Sequence, residues 1–96
     1  MPRTGLLTEL AEKYGKSIGE IKSILMRTAI EAAKELYRKL YGADVKEVKH
    51  DFDRWRKCVG AAVRAMWRIV HAKKDIPTVE EIVNEALKEF GVTVTA

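Results

Sequence analysis

The stretch that decides the fold is residues 44–74, DVKEVKHDFDRWRKCVGAAVRAMWRIVHAKK. Its apolar residues are separated by alternating steps of three and four, which is the heptad spacing of a helix that packs along its whole length. No proline interrupts the stretch, so the spacing predicts a long helix over 44–73. The predicted apolar seam consists of Val45, Val48, Phe52, Trp55, Val59, Ala62, Met66 and Ile69.

The other side of the same stretch is basic. Arg54, Lys57, Arg64 and Arg68 recur at helical spacing, and Arg56 lies beside them. A helix that is apolar on one side and basic on the other is typical of proteins that bind a polyanion, most often a nucleic acid. A solvated helix face has the same composition, so the pattern alone leaves both explanations open.

Charge is distributed unevenly along the chain. The net charge of +4 divides into +3 over residues 1–43, +5 over residues 44–74 and −4 over residues 75–96. The middle of the chain is therefore the basic part and the end is acidic, which places the candidate polyanion-binding residues on the predicted third helix.

The composition is that of one globular domain. The chain has 96 residues, of which 47% are hydrophobic and 33% are charged, and this length favours a single core. The single cysteine excludes an intramolecular disulfide and favours a reducing, cytoplasmic location. No apolar run reaches the ~18 residues of a membrane span, so we expect no membrane partner.

Three more helices are predicted from apolar periodicity, and a glycine follows each of them as a stop signal. They are a short helix over 6–14, a long helix over 17–41 and a short helix over 79–90, followed by Gly15, Gly42 and Gly91. The second and the last begin with capping boxes, Ser17 with Glu20 and Thr78 with Glu81. The expected fold is an all-α, small helical bundle in which two long central helices are flanked by two short ones.

The helix over 17–41 is apolar over a wide arc, and its polar stripe is narrow. More than one neighbour must cover such a helix, either the flanking helices or a second copy of the chain. We therefore expect a homodimer, because a large apolar face left in water favours aggregation. The alternating residues 92–96 are interpreted as a tail, or as a strand paired with the partner copy.

Residues 7–26 resemble a helix-turn-helix. Ala11 is small where the two helices would cross, and Gly15 suits a tight turn. Leu10, Tyr14, Ser17, Ile21, Ile24 and Leu25 occupy the other expected positions. The resemblance implies that Lys16, Lys22, Ser23 and Arg27 face a phosphate backbone or groove. Ordinary helical hairpins share this pattern, so a purely structural explanation stays open.

A broader resemblance covers residues 10–70. The segments 14–23, 29–40, 45–52 and 59–69 are similar, in that order, to the helices of the C-terminal duplex-binding domain of the bacterial replication initiator DnaA. The family's signature Arg-Asp-His run at the turn is absent. The resemblance implies duplex DNA binding, with Arg54, Arg56, Lys57 and Arg64 nearest the groove. It also implies a break near 53–55, whereas the heptad seam predicts one continuous helix, so both alternatives stand.

Other chemically interesting residues have simpler explanations. Trp55 and Trp67 lie beside the apolar seam and are better explained by core packing than by base stacking. Cys58 is interpreted as a small buried hydrophobe, since nothing around it suggests a reactive thiol.

The sequence lacks a convincing metal or catalytic constellation. Glu47 and His50 have the Glu-x-x-His spacing of carboxylate-bridged di-iron bundles, but such sites need a second pair, and Arg68 precedes His71 where the second Glu should be. Paired carboxylates, a nucleophile constellation and a phosphate-cradling glycine loop are also missing. We therefore expect no metal, no cofactor and no enzymatic activity.

Two functional hypotheses follow. The first is a small cytoplasmic nucleic-acid-binding protein that grips duplex DNA through Arg54, Arg56, Lys57, Arg64 and Arg68 on its basic helix face. The alternative is an oligomeric structural or assembly protein with no nucleic-acid role, in which the apolar faces build the oligomer and the charges only solvate it.

Overall fold

The computed structural model describes residues 2–42 and 52–91. Within these ranges the chain is helical and contains no strand. The elements are α1 (Pro2–Tyr14), α2 (Ile18–Tyr41), α3 (Phe52–Lys73) and α4 (Val79–Leu87), followed by a 3-10 turn over Lys88–Phe90. The predicted all-α bundle, with two long central helices and two shorter flanking ones, is confirmed.

Helix α3 is regular from its first described residue. Residues 53–55 lie in its first turn, so helical geometry extends through the place where the DnaA-like pattern implies a break. The segment 44–51, on which the choice between one helix and two depends, lies outside the described residues. So do the alternating residues 92–96.

Both predicted capping boxes are present. Ser17 Oγ accepts a hydrogen bond from the Glu20 backbone N–H at 3.1 Å, and the Glu20 carboxylate accepts one from the Ser17 N–H at 3.0 Å. The reciprocal distances between Thr78 and Glu81 are 3.2 and 2.9 Å. These bonds satisfy N–H groups that the first helical turn leaves without intrahelical partners, and they fix where α2 and α4 begin.

The two long helices carry rows of alanine on their buried sides. Three alanines of α2 and three of α3 are fully buried, and side chains of this size let helix axes approach closely. Larger side chains from both helices fill the space beside the alanine rows. The rows consist of Ala29, Ala32 and Ala33 on α2 and of Ala61, Ala62 and Ala65 on α3.

Helix α2 has three neighbours within one chain, because α1, α3 and α4 all pack against it. Helix α4 contributes the buried Ile82 and Val83, and α1 contributes Leu10. The expectation that more than one neighbour must cover α2 is therefore met without a second copy. Two large apolar side chains of α2 stay exposed, Ile18 at 39% and Met26 at 43%.

The buried stripe of α3 differs from the predicted heptad seam. Ala62 and Met66 are buried as predicted, but Phe52 is 63% exposed. Two causes combine: α3 packs against both α2 and α4, and a straight helix drifts about 20° per heptad from a strict seven-residue repeat. The buried residues that the seam missed are Cys58, Ala61, Ala65 and Val70.

The carboxylate of Asp75 ties the end of α1 to the connection between α3 and α4. It accepts hydrogen bonds from the Tyr14 hydroxyl, from Lys13 Nζ at 3.0 Å and from the Ile76 backbone N–H at 2.8 Å. These bonds, that from Tyr14 first, lower the pKa of Asp75 from 3.8 to about 2. The cluster holds α1 at an end of the bundle where its own apolar contact is small.

The capping geometry predicts a difference between two serines of α2. Ser17→Ala removes the side-chain acceptor of the capping box and should lower the free energy of unfolding by about 1 kcal/mol. Ser23→Ala is the matched control, since Ser23 is exposed inside the helix, where alanine is favoured by a few tenths of a kcal/mol. Urea denaturation measures both variants. Equal losses would show that the Ser17 bond contributes nothing specific.

The Asp75 cluster predicts a pH-dependent contribution to stability. A lowered pKa stabilises the fold above the ordinary pKa of the group, and this contribution disappears as the pH falls toward the lowered value. The parent should therefore be more stable than Asp75→Asn at neutral pH, and the difference should vanish between about pH 4 and pH 2. Glu12→Gln, an exposed change on α1, is the control. A difference that persists unchanged at pH ~2 would rule out the charge as its source.

Candidate nucleic-acid interface

The basic side of α3 is a continuous helical face. Asp53, Lys57, Gly60, Arg64 and Arg68 follow one another at steps of three or four and therefore share one side of the helix. The first four of them line a shallow depression together with Arg56. The structure thus brings three of the predicted site residues, Arg56, Lys57 and Arg64, to one concave surface.

The C-terminal half of this face is covered by acidic residues of α4 and the following turn. Arg64 Nε and Nη2 donate to Glu89 Oε1 at 3.0 and 2.8 Å. Arg68 Nε donates to Glu85 at 3.2 Å, and Arg68 Nη2 donates to Glu89 at 3.3 Å. The two predicted site residues nearest α4 are therefore engaged in ion pairs within the chain.

A fourth ion pair, between Lys73 and Glu81, shows the relative direction of α3 and α4. Lys73 Nζ contacts the Glu81 carboxylate at 2.8 Å. The order of partners along α4 is the reverse of the order along α3, so the helices are antiparallel and their charges meet turn by turn. The acids that take part, Glu81 and Glu85 on α4 and Glu89 in the 3-10 turn after it, are four residues apart, about one helical turn.

The ion pairs lower the pKa values of the glutamates and contribute little to the stability of the fold. Hydrogen bonds from Arg64 and then Arg68 lower the pKa of Glu89, and those from Lys88 and then Arg68 lower the pKa of Glu85. The side chains of Arg64 and Arg68 remain 60% and 45% exposed. Exposed pairs of this kind contribute ~0–1 kcal/mol each, so they are easily exchanged for other partners.

Gly60 provides room for the Arg64 side chain. A Cβ built on Gly60 would lie 3.2 Å from Arg64 Nη1, which is closer than an ordinary contact. The guanidinium group therefore lies against the bare backbone at Gly60, one turn before its own residue. A side chain at this position would have to push the arginine away from the helix.

The three cations at the start of α3 have different surroundings. The Arg54 guanidinium lies over the Tyr41 ring, 4.7 Å from its centroid, which turns it toward α2. Arg56 lies 5.7 Å from the centroid of the exposed Phe52 ring. Arg56 and Lys57 are exposed and form no ion pair with any residue in 2–42 or 52–91.

A second shallow basic surface lies where α1 turns into α2. Residues 15–17 form the turn, as the helix-turn-helix resemblance implies. Lys16, Ser23 and Arg27 line the surface together with Gly19 and the capping-box residues, and Lys22 is exposed nearby. In the part of the chain that the structure describes, Lys16, Lys22 and Arg27 form no ion pair.

The two tryptophans and the cysteine belong to the core. Trp55 and Trp67 are partly buried and pack against the main apolar cluster, as expected for core residues. Cys58 is fully buried, and burial raises the pKa of its thiol to about 11. A thiol with this pKa is protonated at neutral pH and is a poor nucleophile.

Only part of the di-iron spacing falls within the described residues. His71 is exposed on α3, while Glu47 and His50 lie outside the described residues. Among residues 2–42 and 52–91, no group of three or more His, Cys, Asp or Glu side chains could hold a metal ion. Within the same ranges, no helix is long and apolar enough to cross a membrane.

Comparisons of the chain with protein-family models, with curated proteins and with solved structures find no match. Function is therefore inferred from the side chains and their surroundings.

The functional pairing that sequence reasoning missed is that of Arg64 and Arg68 with Glu85 and Glu89. The signal was present in the alternation of charge, because a segment of +5 is followed by one of −4. Acids at one-turn spacing on the last helix match cations at one-turn spacing on the helix before it. Recognising the match requires the antiparallel packing of α3 and α4, which charge counts alone do not supply.

The Gly60 geometry predicts that Gly60→Ala stabilises the protein. Alanine is favoured over glycine inside a helix by up to about 1 kcal/mol, and the exposed end of Arg64 can move by the few tenths of an ångström required. Gly42→Ala is the contrasting control, because Gly42 has a φ of 67° and should lose stability. Denaturant midpoints of both variants test the prediction. A lower denaturant midpoint for Gly60→Ala would mean that the Arg64 side chain cannot move away from the new methyl group.

Proposed function

We propose that this chain is a small nucleic-acid-binding protein that contacts duplex DNA through the basic face of α3. The observation that carries the proposal is the pair of exposed cations Arg56 and Lys57, which have no ionic partner among the described residues and line the depression beside Gly60. Exposed cations that form no ion pair within the described residues and lie on a concave surface are suited to phosphate groups.

The five predicted site residues would take unequal parts in this contact. Arg56 and Lys57 would make the first phosphate contacts. Arg54 lies against Tyr41 at the same end of α3 and would extend the contact by a small rotation. Arg64 and Arg68 would join only after leaving Glu89 and Glu85. Such contacts position a duplex and supply affinity, while sequence specificity needs base contacts as well.

The surface between α1 and α2 is a second candidate for the same partner. Lys22 and Arg27 project from the first turns of α2, directly after the turn at 15–17, which supports the helix-turn-helix hypothesis. The resemblance to the duplex-binding domain of DnaA also supports duplex DNA as the partner. We infer a cytoplasmic location from the single buried cysteine, and a binding role without catalysis.

The alternative function is a structural or assembly role with no nucleic acid. The exposed side chains of Ile18 and Met26 on α2 and of Phe52 on α3 favour some self-association. We also propose a homodimer on this ground, although a single chain already covers most of α2. The dimer and the DNA contact are independent, so each is tested separately.

Three charge-matched double variants test the DNA-binding surface. Arg56→Gln with Lys57→Gln should weaken binding to unrelated duplexes equally, and should reduce the slope of log K against log salt by roughly 0.9 for each lost contact. Lys22→Gln with Arg27→Gln tests the surface between α1 and α2. Lys34→Gln with Arg38→Gln is the control, because these cations already pair with Glu31 and Glu35.

Fluorescence anisotropy with two unrelated duplexes, measured from ~50 to ~200 mM salt, provides the readout. The proposal predicts the largest loss for the α3 variant and the smallest for the control. A larger loss for the variant at 22 and 27 would move the interface to the helix-turn-helix surface. Absence of binding by the parent at ~50 mM salt would remove the nucleic-acid function and favour the assembly role.

The dimer predicts twice the chain mass at micromolar concentration. Sedimentation equilibrium measures it directly, and Met26→Gln should reduce association if α2 provides the contact. Ser23→Gln, at an exposed polar position three residues earlier on the same helix, is the control. A monomer at all concentrations would show that the described core is sufficient for the chain to exist alone.

A further inference from the structure

Two glutamates occupy the positions where an anionic ligand would meet Arg64 and Arg68. Arg64 presents Nε and Nη2 together to one Glu89 oxygen, at 3.0 and 2.8 Å. This side of a guanidinium group also binds phosphate, because carboxylate and phosphate oxygens accept the same forked pair of N–H donors. Glu85 and Glu89 therefore imitate the ligand that the rest of the α3 face is suited to bind.

The pairs can open without disturbing the fold. The Arg64 and Arg68 side chains are more than a third exposed, so they can rotate away from the glutamates into solvent. Helix α4 is held by the buried side chains of Ile82, Val83 and Ala86, and these do not depend on the ion pairs. Opening the contact is therefore a side-chain event and does not require α4 to leave α3.

We propose that Glu85 and Glu89 form an acidic latch, an intramolecular competitor that keeps Arg64 and Arg68 from polyanions until phosphates displace it. The latch rests on the proposed DNA-binding function and describes how that surface is regulated. With the latch closed, the duplex contacts the cations at the start of α3, Arg56 and Lys57 first, and not Arg64 or Arg68. With the latch open, the contact extends along α3 to Arg68. The two freed carboxylates then lie near the phosphates and repel them.

With the latch, DNA binding is weaker and less dependent on salt than it would be if every cation of the α3 face contacted a phosphate. Four cations of this face, Arg56, Lys57, Arg64 and Arg68, stand beside two latch carboxylates and Asp53. Each arginine that exchanges a glutamate for a phosphate releases a counterion from the DNA but also leaves a repelling acid behind. Neutralising the glutamates removes this opposition and leaves the arginines in place.

The test compares two variants of equal net charge. Glu85→Gln with Glu89→Gln removes the latch, and Glu9→Gln with Glu12→Gln removes two exposed acids of α1 as the control. The latch variant should bind a duplex on the order of tenfold more tightly at ~50 mM salt for each arginine released, with a slope steeper by up to roughly 1.8. The control should gain far less, since its acids lie on another helix.

A second pair of changes assigns the gain to the arginines. Arg64→Gln with Arg68→Gln should change little in the parent, where the latch occupies both side chains. In the latch variant the same substitutions should return affinity and salt slope to the parent level. Far-ultraviolet circular dichroism and denaturant midpoints establish that each protein is folded, and Glu89→Gln alone provides a milder variant with a smaller gain expected.

The outcomes separate the latch from the proposed function. If the parent binds DNA and the latch variant gains no more than the control, the latch is wrong and the DNA-binding function stands. Arg64→Gln with Arg68→Gln could also lower the DNA affinity of the parent as much as Arg56→Gln with Lys57→Gln does. Both arginines would then already contact DNA in the parent, and the latch is again wrong. If only the latch variant binds, the proposed function of the parent fails, and the latch, which rests on that function, fails with it. If neither binds, both proposals fail.

Discussion

The packing of α2 against α3, with three fully buried alanines on each helix, sets the positions of the other elements. Small side chains let the two long helices approach, and each is then left with a wide apolar arc that its partner alone does not cover. Helix α4 fills the space between these arcs with Ile82 and Val83. Because the apolar side of α4 faces inward, its row of acids lies along the edge of α3. The charge pairing is therefore a consequence of how the core packs.

The sequence was sufficient for the fold because the relevant signals are local. Capping boxes at Ser17 and Thr78 and the glycine after α2 each depend on backbone hydrogen bonds within a few residues. The burial of α3 was predicted less well. The predicted heptad seam corresponds to packing against one neighbouring helix. Two helices pack on α3, and residues outside the seam, such as Cys58 and Val70, are therefore buried as well. How many neighbours a helix has is a tertiary property that its own periodicity does not contain.

The candidate site was predicted in part for the same reason. Helical spacing was enough to place Lys57, Arg64 and Arg68 on one face. It could not show that Glu85 and Glu89 lie within hydrogen-bonding distance of two of them, because residues 17 to 25 positions apart meet only through the fold. Nor could spacing distinguish Arg54, which lies on the Tyr41 ring, from Arg56 beside it.

The length of the last helix decides which cations of α3 remain available. The acids at 81, 85 and 89 advance by one turn each, and the 3-10 turn after α4 ends at Phe90. Glu89 is thus the last acid of this row, and it is used by Arg64. Lys57 lies seven residues earlier on α3, or about 10 Å farther along the axis, beyond the reach of the row. Where the acidic row ends, the cations of this helix face change from ones paired with acids to ones that are exposed without an ion pair among the described residues.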